Sequence, residues 1–541
     1  MSQLNKLQIK AEIMTVMAKL QQDIDTPYAD QYLSVLNSQE DKSDILDILL
    51  KELQRSNEQR SILICFILVK LFDQELLEEV LWNVLKNRGV MDDAKRVVLK
   101  VLKNFGNTVD IDKLEEYFEN PKDVIDAETQ TLLNNAIVNP EAQIDFLDFL
   151  TSLSFEDKEV LIQSLAQDYS SDALANILSP VVLYSPESEI GMICIDILGE
   201  TKSQLALYTL KELLEFVKDE DIISLIKKNI SKLKISGIRE EQDFYKTILP
   251  STPYEAYSSY PDGHGNLAVI FSREKESSLQ TVAIVLNDTT GIVDCFGFND
   301  ISKLEFGRIV DKFYENDERI YLDEHVIKRL ITEAEKLSRK IGEKISYEYL
   351  CWKTLFADIQ TEVVPLEISL PAKIVNRKIS DIEYNRFCMM NFVQKWFFEA
   401  SDSDVFASAI SNLDNKVKSN NFDFDLEEIV ESIVDNVFDE KQKNLLNKRI
   451  LVCAYLKYLS GSRNDAEIIY SVYNDEDRLS DLRKNILRKS IYEHYVALKF
   501  RLSEEGNTTN IFSMRNKPKT SDFNLEYVEK AIKKIENLWV M

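Results

Sequence analysis

The chain has 541 residues, and its 92 acidic and 65 basic side chains give a net charge of −27. That charge repels phosphate backbones and anionic lipid headgroups, so generic nucleic-acid binding and membrane insertion are disfavoured. Only 13 Gly and 11 Pro interrupt apolar residues that recur at helical spacing, which predicts a mainly helical protein with more than one domain.

Amphipathic segments separated by short polar breaks fill residues 1–236. Leu46, Leu49, Leu50 and Leu53 show the spacing of three and four residues that lines one face of a helix. Breaks at positions 73, 106, 139, 168, 199 and 236 follow one another at steps of 33, 33, 29, 31 and 37 residues. A period in the thirties is typical of a repeat built from two helices and two turns.

The segment from Ile193 to Leu233, ICIDILGETKSQLALYTLKELLEFVKDEDIISLIKKNISKL, resembles a HEAT repeat. Its Ile197-Leu198-Gly199 precedes apolar residues at helical spacing, and an acidic turn at 219–221 precedes a last apolar helix. The resemblance implies a HEAT-like α-solenoid, a right-handed stack over residues 28–236 within a domain at 1–249. Its curved surface would bind a protein partner, because stacked repeats leave exposed positions free to choose one. The alternative is a compact, irregular helical domain without a concave face.

Beyond a proline-marked break at 249–253, runs rich in Val, Ile, Tyr and Phe replace the helical pattern. Short polar connections between them predict a four-stranded antiparallel meander, with strands at Ala256–Tyr260, Leu267–Arg273, Leu279–Asn287 and Ile292–Phe298. Helical patterns then follow, and we expect them to cover one face of the sheet, completing a small α+β domain at 250–360. The segments YSSYPDGHGN and VLNDTTGIVDCFGF also resemble a module of HEAT-containing proteins, which implies that 250–360 is one unit.

The first and third connections of such a meander lie at the same end of the sheet. Five polar residues are thereby gathered into one neighbourhood: Asp262, His264, Asn266, Asn287 and Asp288. Carboxylates and an imidazole at a sheet end could bind a small ligand or a divalent cation. The competing interpretation is turn chemistry alone, because Asp, Asn and Gly are the residues that tight turns prefer.

A linker at 361–380 and a second helical domain at 381–541 complete the prediction. The expected helices are Tyr384–Glu399, Asp404–Val417, Leu426–Val437, Lys441–Ser460, Asp465–Tyr473, Leu479–Leu502 and Leu525–Leu538. Residues 506–523 are polar and locally basic, which indicates a flexible loop before the last helix.

The six cysteines lie far apart without a CxxC pair, and the start of the chain carries charges where a signal peptide needs apolar residues. Reduced core thiols and a cytoplasmic location are therefore expected. The common signatures of phosphate-binding loops, zinc proteases and serine hydrolases do not occur in the sequence. We predict no catalytic residue, metal site or cofactor, and a non-enzymatic interaction or scaffolding protein. The alternatives are a ligand- or metal-responsive regulator acting through 250–360, and an enzyme without a recognisable motif.

Overall fold

The computed structural model describes residues 4–21, 29–39, 41–107, 114–120, 133–137, 139–241, 243–249, 251–360, 374–505 and 523–539. They form a mainly helical protein with one antiparallel sheet in the middle of the chain. The chain divides into two compact units, Met1–Asn134 and Asn135–Met541.

The amino-terminal unit is a set of layered helices. Several helices pack against the helix two places along the chain, so helix 6–20 contacts 43–53, and helix 58–71 contacts both 29–37 and 92–104. Their inward faces form one apolar core. The helices are Lys6–Leu20, Ala29–Asn37, Ser43–Leu53, Glu58–Leu71, Gln74–Lys86, Asp92–Asn104 and Leu114–Tyr117.

The second unit begins with the same arrangement. The helices described from Pro140 up to the sheet are Pro140–Ser152, Phe155–Asp168, Ser171–Tyr184, Glu189–Glu200, Gln204–Leu213, Glu220–Ile235 and Phe244–Ile248. Helices two places apart are in contact from 155–168 onwards, as successive layers require. The predicted breaks at 139, 168, 199 and 236 all fall at helix ends. The segment compared with a HEAT repeat, 193–233, holds most of helix 189–200, all of helix 204–213 and helix 220–235 up to Leu233. Asp219 caps the last of these helices by accepting the backbone N–H groups of Asp221 and Ile222.

The predicted meander is confirmed, and a short fifth strand extends it. The strand order is β4-β3-β2-β1-β5, with β1 at Thr252–Ser258, β2 at Asn266–Lys275, β3 at Ser278–Asn287, β4 at Gly291–Ile301 and β5 at Ile320–Tyr321. The β2–β3 pairing runs without interruption from Asn266↔Asn287 to Lys275↔Ser278. With only two residues, β5 is too short to leave a periodic signal in the sequence.

Helices cover both faces of this sheet, whereas the sequence predicted cover on one face. Ile270 and Phe271 are consecutive in β2 and therefore point to opposite faces. Ile270 joins a core cluster with Phe306 of helix Lys303–Phe313. The Phe271 ring lies 5.0 Å from the Phe356 ring in the 3₁₀ turn Lys353–Phe356. Two-sided burial explains why β2 and β3 read as nearly continuous apolar runs.

Two further helices of the middle segment, Glu324–Ile341 and Tyr347–Trp352, join the sheet to the layered helices before it. Helix 347–352 contacts both helix 140–152 and helix 171–184. The Tyr184 and Tyr347 rings stack with centroids 3.8 Å apart. The helices within 140–248 and the sheet thus belong to one compact unit. The boundary at 249/250, like those at 360 and 380, stays a prediction that limited proteolysis can test.

The remaining helices agree closely with those predicted, except for the first. They are Asp381–Cys388, Asn391–Gln394, Asp404–Lys418, Leu426–Val437, Glu440–Leu459, Arg463–Tyr473, Glu476–Glu505 and Leu525–Trp539. The single helix expected at 384–399 is divided at Met389-Met390, and the chain after Gln394 is irregular. There the Trp396 indole donates to the Pro261 carbonyl at 3.0 Å, a tertiary contact that helical periodicity does not encode. Residues 361–373 of the predicted linker 361–380, and residues 506–522 of the predicted loop 506–523, lie outside the described residues.

Candidate functional site

The structure brings the five predicted site residues together at one end of the sheet. Asp262 lies in the loop between β1 and β2, and its Oδ1 accepts the backbone N–H groups of His264 (2.9 Å) and Asn266 (2.8 Å). The Asn266 side chain donates to Asp262 Oδ2 at 3.1 Å. Both carboxylate oxygens therefore stabilise the turn itself, in the way that Asp side chains commonly do.

The loop between β3 and β4 is joined to this turn by direct hydrogen bonds. Asn287 donates through Nδ2 to the His264 carbonyl (3.0 Å) and to Asn266 Oδ1 (2.9 Å). The backbone N–H of Asp288 donates to the Gly265 carbonyl at 3.1 Å. Gly265 has a φ of +83°, and a Cβ built there would lie 2.0 Å from Asp288 Oδ1, so only glycine suits this position.

Residues from the carboxy-terminal helices close over both loops. Arg449, on helix 440–459, binds the two oxygens of Asp288 at 2.6 and 3.0 Å and donates to the Gly263 carbonyl at 2.6 Å. The backbone N–H of Gly263 in turn donates to the Lys395 carbonyl. No local pattern in the sequence could have identified Arg449, because it is separated from Asp288 by 161 positions.

The imidazole of His264 lies at the margin of this cluster. Its Nδ1 is 3.5 Å from Asp402 Oδ2, and its ring meets Phe397 edge-on at 6.1 Å. Each carboxylate oxygen of Asp262 and Asp288 already accepts a hydrogen bond, and the Arg449 guanidinium supplies the positive charge that a cation would bring. The geometry describes a joint between the sheet and the carboxy-terminal helices; binding of a ligand or cation by these five residues stays a prediction.

Among the described residues, the group whose potential metal-ligand atoms lie within 4.8 Å of one another is elsewhere, at Asp323, Glu324 and His325. These residues begin helix 324–341, where Asp323 accepts the backbone N–H of His325 at 2.8 Å. The His325 ring Nδ1 is 2.7 Å from the Gln360 carbonyl. Helix capping accounts for this arrangement, so it gives no argument for a metal.

A second charged cluster joins helix 204–213 to helix 324–341 and to the 3₁₀ turn at 353–356, both of which pack near the sheet. Glu212 Oε1, at the end of helix 204–213, is 2.9 Å from Arg339 Nη2 and 2.5 Å from Lys353 Nζ. Glu335 Oε1 is 2.9 Å from both of the same cations, and its Oε2 accepts the Tyr349 hydroxyl at 2.7 Å. Two acids and two bases thus alternate in a largely buried ring, the arrangement in which such charges satisfy one another.

The electrostatics of this ring favour full ionisation. Burial alone raises the pKa of Glu335, but the charges of Lys353 and Arg339 outweigh it and hold that pKa well below its usual range. Burial alone lowers the pKa of Lys353, but Glu212 and Glu335 outweigh it and hold that pKa above its usual range. Glu335 and Lys353 therefore both stay charged near neutral pH and are poorly suited to proton transfer. The ring is suited instead to holding helix 204–213 against helix 324–341.

The cysteines likewise offer no reactive thiolate at neutral pH. All six are free; five are buried, and Cys388 is half-buried. Burial raises the pKa of the Cys65 and Cys194 thiols to about 12, so both stay protonated.

Within the described ranges, no helix combines the length and the apolar character needed to cross a bilayer. Comparison of the chain with family models, with curated proteins and with solved structures gave no match.

Proposed function

We propose that this chain is a non-enzymatic protein that binds another protein through its layered helices. The array is inferred to be HEAT-like because corresponding helices begin at regular intervals. In three successive helix pairs, the first helix of each pair starts at 140, 171 and 204, and the second helix starts at 155, 189 and 220. Steps of about 31 to 34 residues leave room for two helices and two turns per layer, as in stacked repeat arrays.

The observation that carries the proposal is the outward face of helix 58–71. Its inward face is mainly apolar, with Ile64, Ile67 and Leu68 each at 0% exposure and Ser61 buried beside them. Ile62 and Val69 lie seven residues apart on one outward stripe and are 44% and 43% exposed. The other exposed residues of this helix, Gln59 and Lys70, are polar, so the stripe has a polar margin like that of many contact surfaces. The exposed stripe is therefore suited to bury itself against a partner.

The overall charge restricts the kind of partner. A net charge of −27 favours proteins whose contact rim is basic, because complementary charge speeds association and opposes wrong pairings. The proposed location is the cytoplasm, where six unpaired cysteines stay reduced.

Cross-linking and affinity capture from native lysate test the proposal. Ile62→Glu and Val69→Glu place charge on the stripe without altering the inward face. We expect both variants to lose proteins that the wild-type chain captures reproducibly. Leu7→Glu is the matched control, because Leu7 is an isolated apolar residue at 82% exposure on helix 6–20, and it should retain them.

Light scattering of the purified chain separates a foreign partner from self-association. Conversion of a wild-type dimer to a monomer by Ile62→Glu would assign the stripe to a second copy of this chain and overturn a foreign partner there. Identical capture by the wild-type chain and both stripe variants would also overturn the proposal. The regulator and enzyme alternatives stay predictions, and calorimetric titration of the full chain with divalent cations and nucleotides tests the first of them.

A further inference from the structure

A cleft of about 450 Å³ lies within the unit formed by residues 135–541. One wall is built from the first turns of helices 140–152, 171–184 and 204–213, and the opposite wall from the β2–β3 hairpin and Leu355. The cleft is separate from the loops around Asp262 and from the stripe on helix 58–71. Its volume falls in the range typical of small-molecule sites in proteins.

Two carboxamides in the cleft have orientations fixed by the backbone. The Gln143 Nε2 donates to the Asn176 carbonyl at 2.6 Å, and the Asn176 Nδ2 donates to the Ile137 carbonyl at 2.5 Å. A carbonyl oxygen can only accept, so the nitrogen of each amide must face it and the oxygen must point away. Neither Gln143 Oε1 nor Asn176 Oδ1 accepts a hydrogen bond from a described residue, although Gln143 is only 4% exposed. Both oxygens are nevertheless reached by solvent in the cleft, where a ligand N–H can replace water as their donor.

The remaining lining is largely apolar and includes one aromatic ring. Leu205, Leu355 and the buried Phe244 contribute apolar surface, and the Phe244 ring is planar. Phe244 is held by stacking on Tyr208, with ring centroids 5.3 Å apart and an interplanar angle of 11°. Gln280 adds a third carboxamide from the opposite wall, where its Nε2 donates to Asn299 Oδ1 at 2.8 Å. A planar ligand can lie between such walls while its edges reach the amides.

Charge in the lining is nearly balanced. Lys275 and Asp172 are its two charged residues among those described. The excess of negative charge over the whole chain disfavours phosphate groups. We propose that this cleft binds a small neutral molecule carrying N–H donors on a flat ring, an amino-substituted heterocycle of nucleoside size. The inference is independent of the protein-binding function, because it concerns different residues.

Isothermal titration of the full chain with adenosine and with 6-chloropurine riboside tests the donor requirement. The two probes have the same ring and sugar, but chlorine replaces the exocyclic amino group in the second. We expect adenosine to bind and the chloro compound to bind about tenfold more weakly, the factor contributed by one ordinary hydrogen bond. Equal affinities would overturn the proposal, and so would the absence of heat from adenosine and cytidine at millimolar concentration.

Gln143→Met removes one of the two cleft acceptors at nearly constant volume and should weaken adenosine binding about tenfold. Gln280→Met provides a second test from the opposite wall if the first variant fails to fold. Gln163→Met is the matched control, since Gln163 is exposed on helix 155–168 and pairs with Glu159. Unchanged affinity in both cleft variants, or an equal loss in the control, would show that binding occurs elsewhere and would overturn the assignment.

Discussion

Arg449 binds both carboxylate oxygens of Asp288 and thereby fixes the carboxy-terminal helices to the end of the sheet. The side chains are only 11% and 15% exposed, so water replaces neither partner easily. A bidentate guanidinium–carboxylate pair also fixes orientation, because its two parallel hydrogen bonds define a plane. The pair explains why the predicted site residues lie close together and yet contact other protein groups.

Removing the guanidinium should destabilise this joint. We expect Arg449→Met to lower the free energy of unfolding by about 2–4 kcal/mol, because the Asp288 carboxylate is left largely buried without its partner. Urea denaturation of the full chain measures the change. Arg449→Lys keeps the charge but loses the bidentate geometry, and it should recover part of the loss. A double variant with Asp288→Asn should cost less than the sum of the two single changes; strict additivity would show that the two residues are not coupled.

Two glycines of the sheet unit should respond to alanine with opposite signs. A Cβ at Gly297 of β4 would lie 2.3 Å from the fully buried Trp352 indole, whereas a Cβ at Gly307 of helix 303–313 meets nothing within 4 Å. Gly297→Ala should destabilise by about 1–3 kcal/mol through overpacking. Gly307→Ala should stabilise by about 0.5–1 kcal/mol, because alanine loses less backbone entropy in a helix. Thermal unfolding distinguishes the two, and a stabilising Gly297→Ala would contradict the packing of Trp352 over β4.

Glu212 should link the stability of helix 204–213 to that of helix 347–352. We expect Glu212→Gln to leave Lys353 and Arg339 with one acid between them, and to destabilise by about 2–4 kcal/mol. Amide hydrogen exchange should then rise both in helix 204–213 and in helix 347–352. Glu215→Gln is the control, because Glu215 is exposed three positions further along and forms no ion pair with the residues that the structure describes. Faster exchange in one of the two helices alone would argue against coupling through Glu212.

Lys328 should give the unfolding free energy a distinctive pH dependence. Burial lowers the pKa of its ammonium to about 8, with partial compensation from Glu335. Between pH 8 and 10.5 the unfolded chain holds this proton and the folded chain releases it, so the contribution of Lys328 to stability rises with pH. Below pH 8 the folded chain bears the full cost of the buried charge.

Lys328→Met should therefore stabilise the protein at pH 7 by about 1–3 kcal/mol, and the gain should disappear as the pH approaches 10.5. Urea midpoints of wild type and variant across this range provide the measurement. Lys336→Met, at an exposed position of the same helix, should show no such trend. A stability difference between Lys328→Met and wild type that does not change with pH would contradict the assignment.

Much of the fold could be predicted because its signals are local. The helix at Leu426–Val437 coincides with the predicted one, since its apolar spacing and the Asp425 cap are adjacent in sequence. The meander follows from turn residues between apolar runs, and its topology alone brings the loops at Asp262 and Asn287 together. The cover on both faces of the sheet was not predicted, because periodicity within a helix does not show which face of which strand it meets.

The sequence by itself determined the helical character and the spacing of about one helix pair between successive breaks. It also determined the order of the four predicted strands and the proximity of the two polar loops. All of these depend on interactions among residues close in the chain or on the number of residues between turns. Only the tertiary structure decided that Arg449 pairs with Asp288, that Glu212 shares Lys353 with Glu335, and that the amide oxygens of Gln143 and Asn176 face a cleft. Such pairings depend on which distant side chains are desolvated together, because a charge or an amide takes its partner from whatever folding brings within about 3 Å.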